Sequence, residues 1–169
     1  MTVLVGFAYW GAEVSALAQA AGATSGTIMG SFFLIWTAAW AVLYALLVPG
    51  KGIMDKGWFL GILVAVVLIL ASWLFLYFNS HGWESNSVLA IGIGGGIGWI
   101  LLLNVWGVVW RIQKRLIAWT KANAEFGTAM PPKAPGMARM AFLTARISAW
   151  LTLPLLFLMG VASHYQMFR

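Results

Sequence analysis

Long apolar stretches with almost no charge constrain this chain more than any other feature. The clearest stretch runs from Trp58 to Phe78, contains no charged residue and is rich in Leu, Val and Ile. A helix needs about 20 apolar residues to cross the ~30 Å hydrocarbon core of a bilayer. In the whole chain 8% of residues are charged, whereas soluble domains carry about 25% charged residues. The sequence therefore predicts a helical integral membrane protein.

Four such stretches predict an all-α integral membrane fold, a four-transmembrane-helix bundle that forms one domain over residues 1–169. The spans are expected at about 28–48, 58–78, 88–110 and 141–163, with a basic loop at 111–139. The first part of this loop, Arg111–Glu125, is expected to be a helical extension at the membrane surface. Residues 1–23 are less apolar and contain Glu13, whose burial at mid-bilayer would cost roughly 2–3 kcal/mol. We therefore predict a short N-terminal helix that lies on the membrane surface or is re-entrant.

The basic residues predict the orientation of the bundle. Every lysine and arginine except Arg169 falls between spans one and two, or between and at the adjoining ends of spans three and four. Cytoplasmic segments carry the excess of Lys and Arg. We therefore expect the inner membrane of a bacterium, with both termini outside and the basic loop on anionic lipids. This arrangement accounts for the net charge of +6, so no nucleic-acid partner is expected.

Glycines in the first half of the third span predict close helix packing. Gly92 and Gly96 are four residues apart, and so are Gly94 and Gly98. Small residues four apart on a helix let a neighbouring helix approach closely. A nucleotide-binding loop is excluded, because no strand precedes these glycines and they lie inside an apolar helix. The neighbouring helix could belong to this chain or to another.

Aromatic residues recur every four positions in the first span, at Trp36, Trp40 and Tyr44. This spacing places them on one helix face. The favoured interpretation is packing against another helix or contact with lipid. The alternative is the wall of a quinone or cofactor site.

Both histidines are predicted at the outer face. His81 follows the second span, His164 ends the fourth, and Met167 lies three residues later. Two imidazoles at one face could ligate haem axially or hold copper with a methionine, and one alone could ligate the magnesium of a chlorophyll-type pigment or hydrogen-bond a quinone. The alternative is that each histidine is an interfacial polar residue or contacts a partner subunit. The chain has no cysteine and four acidic residues, so groups for acid–base catalysis are few and enzyme activity is left open.

Polar residues at matching depth in spans three and four predict a helix clasp near the inner face. Asn104, Ser148 and Thr152 are expected to hydrogen-bond across these two helices. Arg146 is expected to extend its guanidinium to the headgroups. The alternative is a small polar pocket flanked by three tryptophans, Trp106, Trp110 and Trp150.

Two segments of the chain resemble a known family. Asn-Val-Trp-Gly-Val-Val-Trp at Asn104–Trp110, followed by Gln-Lys, resembles the Asn-Val-Trp…Trp-Pro-Asn-Gln-Lys signature in the membrane domain of bacterial membrane-bound, cytochrome c-linked urate hydroxylases. The segment Arg146–Tyr165 is similar to that family's closing Ser-x-Pro-Met-Leu-Phe-x-Met…His-Tyr helix. The resemblance covers about residues 95–165, the C-terminal half of that membrane domain. Asn104, Arg146 and His164 match motif positions, whereas the family's Pro-Asn pair is Arg-Ile here.

These observations predict a small integral membrane subunit of a larger respiratory or photosynthetic redox assembly, with a scaffold or cofactor-holding role. The cofactor, a haem, chlorophyll-type pigment or copper, would be held through His164 and His81. The resemblance implies the alternative, a urate-hydroxylase-like oxidoreductase that passes electrons to an external cytochrome c. The expected partners are the lipid bilayer, other membrane subunits and, for the alternative, cytochrome c.

Overall fold

A computed structural model describes the backbone of residues 2–47 and 57–164 and the side chains of residues 5–47 and 57–162. In these ranges the chain is helical and forms no strand. Its helices are α1 (Thr2–Ala20), α2 (Gly26–Leu47), α3 (Gly57–Asn79), α4 (Asn86–Phe126) and α5 (Ala134–His164). Helices α2 to α5 are long and apolar enough to cross a membrane. The chain is therefore a multi-pass membrane protein, and the predicted all-α bundle is confirmed.

The connections between helices define two ends of the bundle. The loop end holds the α1–α2 turn at 21–25, the α3–α4 loop at 80–85 and the end of α5. There the Ser87 hydroxyl donates to the carbonyl of Ala162 at 3.0 Å, which ties the start of α4 to the end of α5. The opposite end, which we call the basic end, holds the last residues of α2 and the first of α3, together with the adjoining parts of α4 and α5.

Helix α1 lies alongside the bundle. Near the loop end the Trp10 indole N–H donates to the Val88 carbonyl at 3.0 Å. The Phe7 ring packs edge-on to Phe32 of α2, with centroids 4.9 Å apart, and to Trp99 of α4 at 5.7 Å. Trp99 lies about 16 Å beyond Val88 along α4, at 1.5 Å per residue. Helix α1 is thus a single unbroken helix that packs against α2 and α4, and its N-terminal half lies closer to the basic end than its C-terminal half.

Two glycines of α4 receive aromatic rings from other helices of this chain. The fully buried Trp36 ring of α2 fills the space where a side chain at Gly96 would begin. A Cβ at Gly92 would lie 2.6 Å from the Phe75 ring of α3. Because these positions carry no Cβ, α4 can sit against large rings at the centre of the bundle.

The other two predicted packing glycines face α5. A Cβ at Gly94 would lie 3.3 Å from Leu158, and one at Gly98 would lie 3.8 Å from Leu155. The four glycines therefore do not form one seam with a single neighbour. They distribute their contacts around α4, which makes it the central helix, and the neighbouring helices all belong to this chain.

The predicted basic loop at 111–139 is mostly helical in the structure. Helix α4 continues to Phe126, Gly127 adopts a left-handed φ of 66°, and α5 already begins at Ala134. We call residues 110–139 the basic hairpin. At the base of this hairpin α4 and α5 share an apolar contact, made by Val108, Ile112, Leu116, Met137, Met140 and Ala141. The helical extension expected over Arg111–Glu125 is present as the continuation of α4. Helix α5 begins before the predicted span start at about 141, because hydropathy marks where a helix enters the membrane and does not mark where it begins. At 41 residues, α4 is about 60 Å long, twice the ~30 Å hydrocarbon core.

Exposed aromatic residues mark the two membrane interfaces on α3. Trp58 is 68% exposed at the basic end, and Trp73 and Tyr77 are 58% and 69% exposed towards the loop end. Trp58 and Tyr77 lie about 28 Å apart along the helix, close to the ~30 Å hydrocarbon core. Tryptophan and tyrosine favour both interfaces of a bilayer. The exposed apolar side chains between these rings suit the hydrocarbon interior of a bilayer.

Candidate functional site

Asn104 links three helices in the basic half of the bundle. Its side chain is buried, and its Oδ1 accepts a hydrogen bond from the Trp40 indole of α2 at 3.1 Å. Its Nδ2 donates to the Ser148 hydroxyl of α5, also at 3.1 Å. That hydroxyl donates in turn to the Thr144 carbonyl at 3.0 Å. The amide therefore joins α2, α4 and α5 through a continuous row of hydrogen bonds.

A local change in helix type accompanies this contact. Asn104–Val109 forms a π-helical segment, and the N–H of Trp110 bonds to the carbonyl of Val105, five residues back. Such a turn contains one residue more than an α-helical turn and is frequent at functional sites. Within the segment, Gly107 lies against Trp40, because a Cβ there would be 3.6 Å from the ring. The π segment thus coincides with the Asn-Val-Trp-Gly-Val-Val motif.

Two of the four residues predicted for the clasp lie outside this row. Thr152 is exposed, and its hydroxyl bonds back to the Ser148 carbonyl of its own helix at 2.9 Å. The exposed Arg146 guanidinium lies over the Trp150 ring, 5.3 Å from its centroid. The structure therefore brings together Asn104 and Ser148 and leaves Thr152 and Arg146 apart. Trp40 also belongs to the row of hydrogen bonds, although its spacing in the first span favours only helix packing or lipid contact.

The alternative of a polar pocket walled by tryptophans has no counterpart around Asn104. Trp106 and Trp110 are 66% and 56% exposed and face away from the bundle. Their rings contact each other at a centroid distance of 6.4 Å. Trp150 lies beneath Arg146 instead. Like Trp58, all three rings belong to the basic half of the bundle, where they suit an interfacial position.

His81 forms a pair with Glu84 at the loop end. The imidazole Nδ1 lies 2.7 Å from Glu84 Oε1, and the His81 backbone N–H donates to Oε2 at 2.8 Å. The imidazole stacks on Trp83 with centroids 6.4 Å apart. When Nδ1 donates to the carboxylate, Nε2 is left as the nitrogen that can ligate a metal or accept a proton. A cavity of about 370 Å³ beside this loop is bordered by His81 and by the hydroxyl-bearing Thr24 and Thr27.

Two opposing effects act on the pKa of Glu84. Burial raises the pKa of its carboxyl group, because the Glu84 side chain is 1% exposed. Hydrogen bonds from the His81 side chain and from backbone N–H groups outweigh burial and hold the pKa of Glu84 below its ordinary value. The carboxylate is therefore ionised at neutral pH and keeps the imidazole in one orientation.

The second predicted histidine reaches the same end of the bundle. The backbone of His164 ends α5, two residues after the Ala162 carbonyl that binds Ser87. The side chain of His164, and Met167 as a whole, lie outside the described residues. Among the residues that are described, no three of His, Cys, Asp or Glu group closely enough to hold a metal ion. Haem, copper or pigment ligation through His81 and His164 stays a prediction.

Removal of the His81 side chain is expected to raise the pKa of Glu84, because burial then acts with less opposition. In His81→Ala the carboxyl resonance of Glu84, followed by NMR in micelles, should titrate at higher pH than in the native chain. The sign follows from linkage: a depressed pKa in the folded loop stabilises it above the unfolded pKa, and this contribution disappears as pH falls through the folded pKa. An unchanged Glu84 titration would show that the imidazole does not govern the carboxylate.

No protein-family model, no curated protein and no solved structure matches this chain. One geometric fact bears on the resemblance to urate hydroxylases: its two sequence blocks touch through the bond from Asn104 to Ser148. The resemblance itself stays a prediction.

Proposed function

We propose that this chain is a small integral membrane subunit of a larger membrane redox assembly, in which it serves as a scaffold or holds a cofactor. The observation that carries the proposal is how buried polar side chains are used. Among the described residues these are Asn79, Asn104 and Thr144. Asn79 accepts from the Ser31 hydroxyl at 2.9 Å and so joins α3 to α2. Asn104 joins α4 to both α2 and α5.

This use of polar groups is typical of a rigid support. Hydrogen bonds between membrane helices contribute on average about 0.6 kcal/mol each and up to ~2 kcal/mol. Thr144 also bonds within its own helix, to the Met140 carbonyl at 2.8 Å. Asn79 and Asn104 fix how the helices sit against one another, and all three side chains are already hydrogen-bonded within the chain. Chemistry, where the subunit contributes to it, would therefore use groups at the surface of the bundle.

The outward faces of α3 and α5 favour partners within the membrane. Large apolar side chains on both helices are strongly exposed, namely Ile62, Ile69, Leu70, Leu153, Leu156 and Phe157. Such faces accept lipid or the helices of other subunits equally well in chemical terms. A support with four membrane-crossing helices and two broad apolar faces is suited to join neighbouring subunits laterally.

The basic hairpin supports an orientation for the subunit. Basic residues cluster there at Arg111, Lys114, Arg115, Lys121, Lys133 and Arg139. By the positive-inside rule this hairpin would lie in the cytoplasm of a bacterium, and the loop end, where α5 finishes, would lie outside the inner membrane. Because α1 runs from the loop end towards the basic end, the expected outer position of the N-terminus is not retained in this proposal. Anionic headgroups would contact the cationic side chains closest to the membrane.

The cofactor-holding form of the proposal rests on the loop end. The carboxylate of Glu84 orients the His81 imidazole, and metal-ligating histidines almost always have such a partner on their second nitrogen. His81 would hold a haem, copper or pigment through Nε2, with His164 as the second ligand at the same end. The group would supply electron transfer, and this chain's own contribution is to fix the direction of the imidazole.

The test is gentle extraction from native membranes in lipid nanodiscs, followed by native mass spectrometry, absorption spectroscopy and metal analysis. The expected result is a fixed stoichiometry with other membrane polypeptides. A chain that is recovered alone or as a homo-oligomer from native membranes would contradict the proposal. A chromophore that is lost in His81→Ala would identify the cofactor-holding form. Urate-dependent reduction of cytochrome c would favour the urate-hydroxylase alternative, which the contact between the two motif blocks supports.

A further inference from the structure

An apolar cavity of about 310 Å³ lies between α1, α4 and α5. Its floor is formed by Gly95 and Gly98 of α4, where the absence of side chains leaves room. Phe7 and Trp10 of α1 form one wall, and Leu155 and Met159 of α5 form the other. The cavity therefore exists because two glycines separate the bulky side chains of two flanking helices.

The cavity lies deep in the membrane. Gly95 and Gly98 are about 14 and 18 Å along α4 from its first residue, at 1.5 Å per residue. The middle of a ~30 Å hydrocarbon core lies at about 15 Å. None of the residues that line the cavity is charged. A polar headgroup finds no partner at this depth, so the ligand must be hydrocarbon.

The cavity opens onto the surface that contacts lipid. Leu156 both lines the cavity and is 63% exposed, and its neighbours Leu153 and Phe157 on α5 are 72% and 63% exposed. The bilayer interior therefore continues directly into the cavity. At the ~30 Å³ that a water molecule occupies in the liquid, the volume accepts about ten methylene-sized groups. This volume fits part of one hydrocarbon chain. It is too small for a protein helix, which is ~10 Å across.

We propose that this cavity binds a single hydrocarbon chain, which lies on the glycine floor between α1 and α5. The chain is the acyl chain of a phospholipid or the isoprenoid tail of a membrane lipid, because both present the same chemistry here. Its methylene groups bridge Phe7 and Trp10 to Leu155 and Met159. The site goes beyond the proposed function, because it is complete within this one chain and needs no partner subunit.

Two of the glycines that line the cavity have room for a Cβ and are the positions at which the site can be filled. A Cβ at Gly95 would lie 3.8 Å from the Phe32 ring, an ordinary contact, and a Cβ at Gly6, which also lines the cavity, would meet nothing within 4 Å. Gly95→Leu and Gly6→Leu therefore place side-chain volume at the cavity. Gly160→Leu is the matched control, because a Cβ at Gly160 on α5 also meets nothing within 4 Å, and Gly160 does not line the cavity.

The experiment uses the purified full chain in nanodiscs that contain phosphatidylcholine with a photoreactive diazirine at mid-acyl chain. A second arm adds an isoprenoid that carries the same group. After irradiation, mass spectrometry maps the labelled peptides. We expect several-fold more label on the segments around Phe7 and Leu155 than on the lipid-facing side of α3 around Ile69, which is exposed at a similar depth. Gly95→Leu should reduce this excess to the level of α3, and Gly160→Leu should retain it. The arm with the stronger excess identifies the chain type.

Two results in nanodiscs would overturn the proposal, and so would one result in native membranes. One is equal labelling of the cavity and of α3, which would mean that lipid is in ordinary contact only. The other is full labelling in Gly95→Leu and Gly6→Leu, each shown to be folded by thermal unfolding; if Gly95→Leu does not fold, Gly6→Leu carries the comparison. A protein helix cross-linked at Phe7 or Leu155 in native membranes would also replace the hydrocarbon ligand by a subunit contact. Because the nanodiscs contain this chain alone, failure of the larger assembly leaves the test unaffected.

Discussion

Gly96→Ala is expected to lower the stability of the bundle severely. The Trp36 ring occupies the space into which the new methyl group would project, and Trp36 is fully buried. Overpacking of a tight core costs about 1–3 kcal/mol and occasionally more, and we expect the upper end of this range, ~3 kcal/mol. The ring cannot move aside, because interiors are close-packed. Unfolding in mixed micelles with increasing denaturing detergent measures the loss.

Gly95→Ala is the matched control, since the neighbouring position changes by the same methyl group. A Cβ at Gly95 lies 3.8 Å from Phe32, so this variant should stay close to native stability. In a Trp36→Leu background the cost of Gly96→Ala should fall, and the difference in a double-mutant cycle measures the contact. Equal stability of Gly95→Ala and Gly96→Ala would refute the packing described for α4.

Asn104→Leu is the second change with a large expected effect, a loss of about 1–2 kcal/mol. It removes the acceptor of the Trp40 indole and the donor to Ser148 at similar side-chain volume. The indole N–H is then left without this partner in an apolar region, which costs more than the hydrogen bond itself contributed. Equilibrium unfolding of Asn104→Leu, Trp40→Phe and the double variant measures the coupling.

The control for this prediction is Thr152→Val. Its hydroxyl bonds only to the carbonyl of Ser148 in its own helix, and such bonds contribute little to helix–helix packing. We expect a change well below that of Asn104→Leu. If Trp40→Phe and Asn104→Leu add independently, the hydrogen bond between them makes no contribution to stability.

The membrane helices could be predicted because bilayer physics leaves few choices. A lipid-exposed backbone must satisfy its hydrogen bonds internally, so an apolar stretch of about 20 residues reads as a helix. The helical extension over Arg111–Glu125 could also be predicted, because apolar residues such as Leu116 and Ile117 lie among its basic ones. The start of the last helix could not. Hydropathy places the span from about residue 141, whereas α5 begins in the polar segment at Ala134, where hydropathy carries no information about helix boundaries.

The contact between Asn104 and Ser148 could be predicted from residue counts, because each residue adds a fixed rise along its helix and the two depths can be compared. The direction in which each side chain points around the helix axis could not be predicted in this way. Thr152 shares the depth but is exposed, and its hydroxyl is satisfied by its own helix. Trp40 was found to be the second partner, 64 residues away in sequence. The π segment shifts angular position along α4, which no periodicity count from the sequence takes into account.

That shift has a mechanical consequence. One additional residue in a helix turns everything beyond it by about 100° relative to an unbroken α-helix. The segment Asn104–Val109 thereby sets the angular phase between the glycine half of α4 and its basic half. The same residue that opens the segment is anchored to α2 and α5. The basic half of α4 therefore has a fixed rotation about the helix axis. If its far end were rotated, the row of hydrogen bonds inside the membrane would have to break or follow.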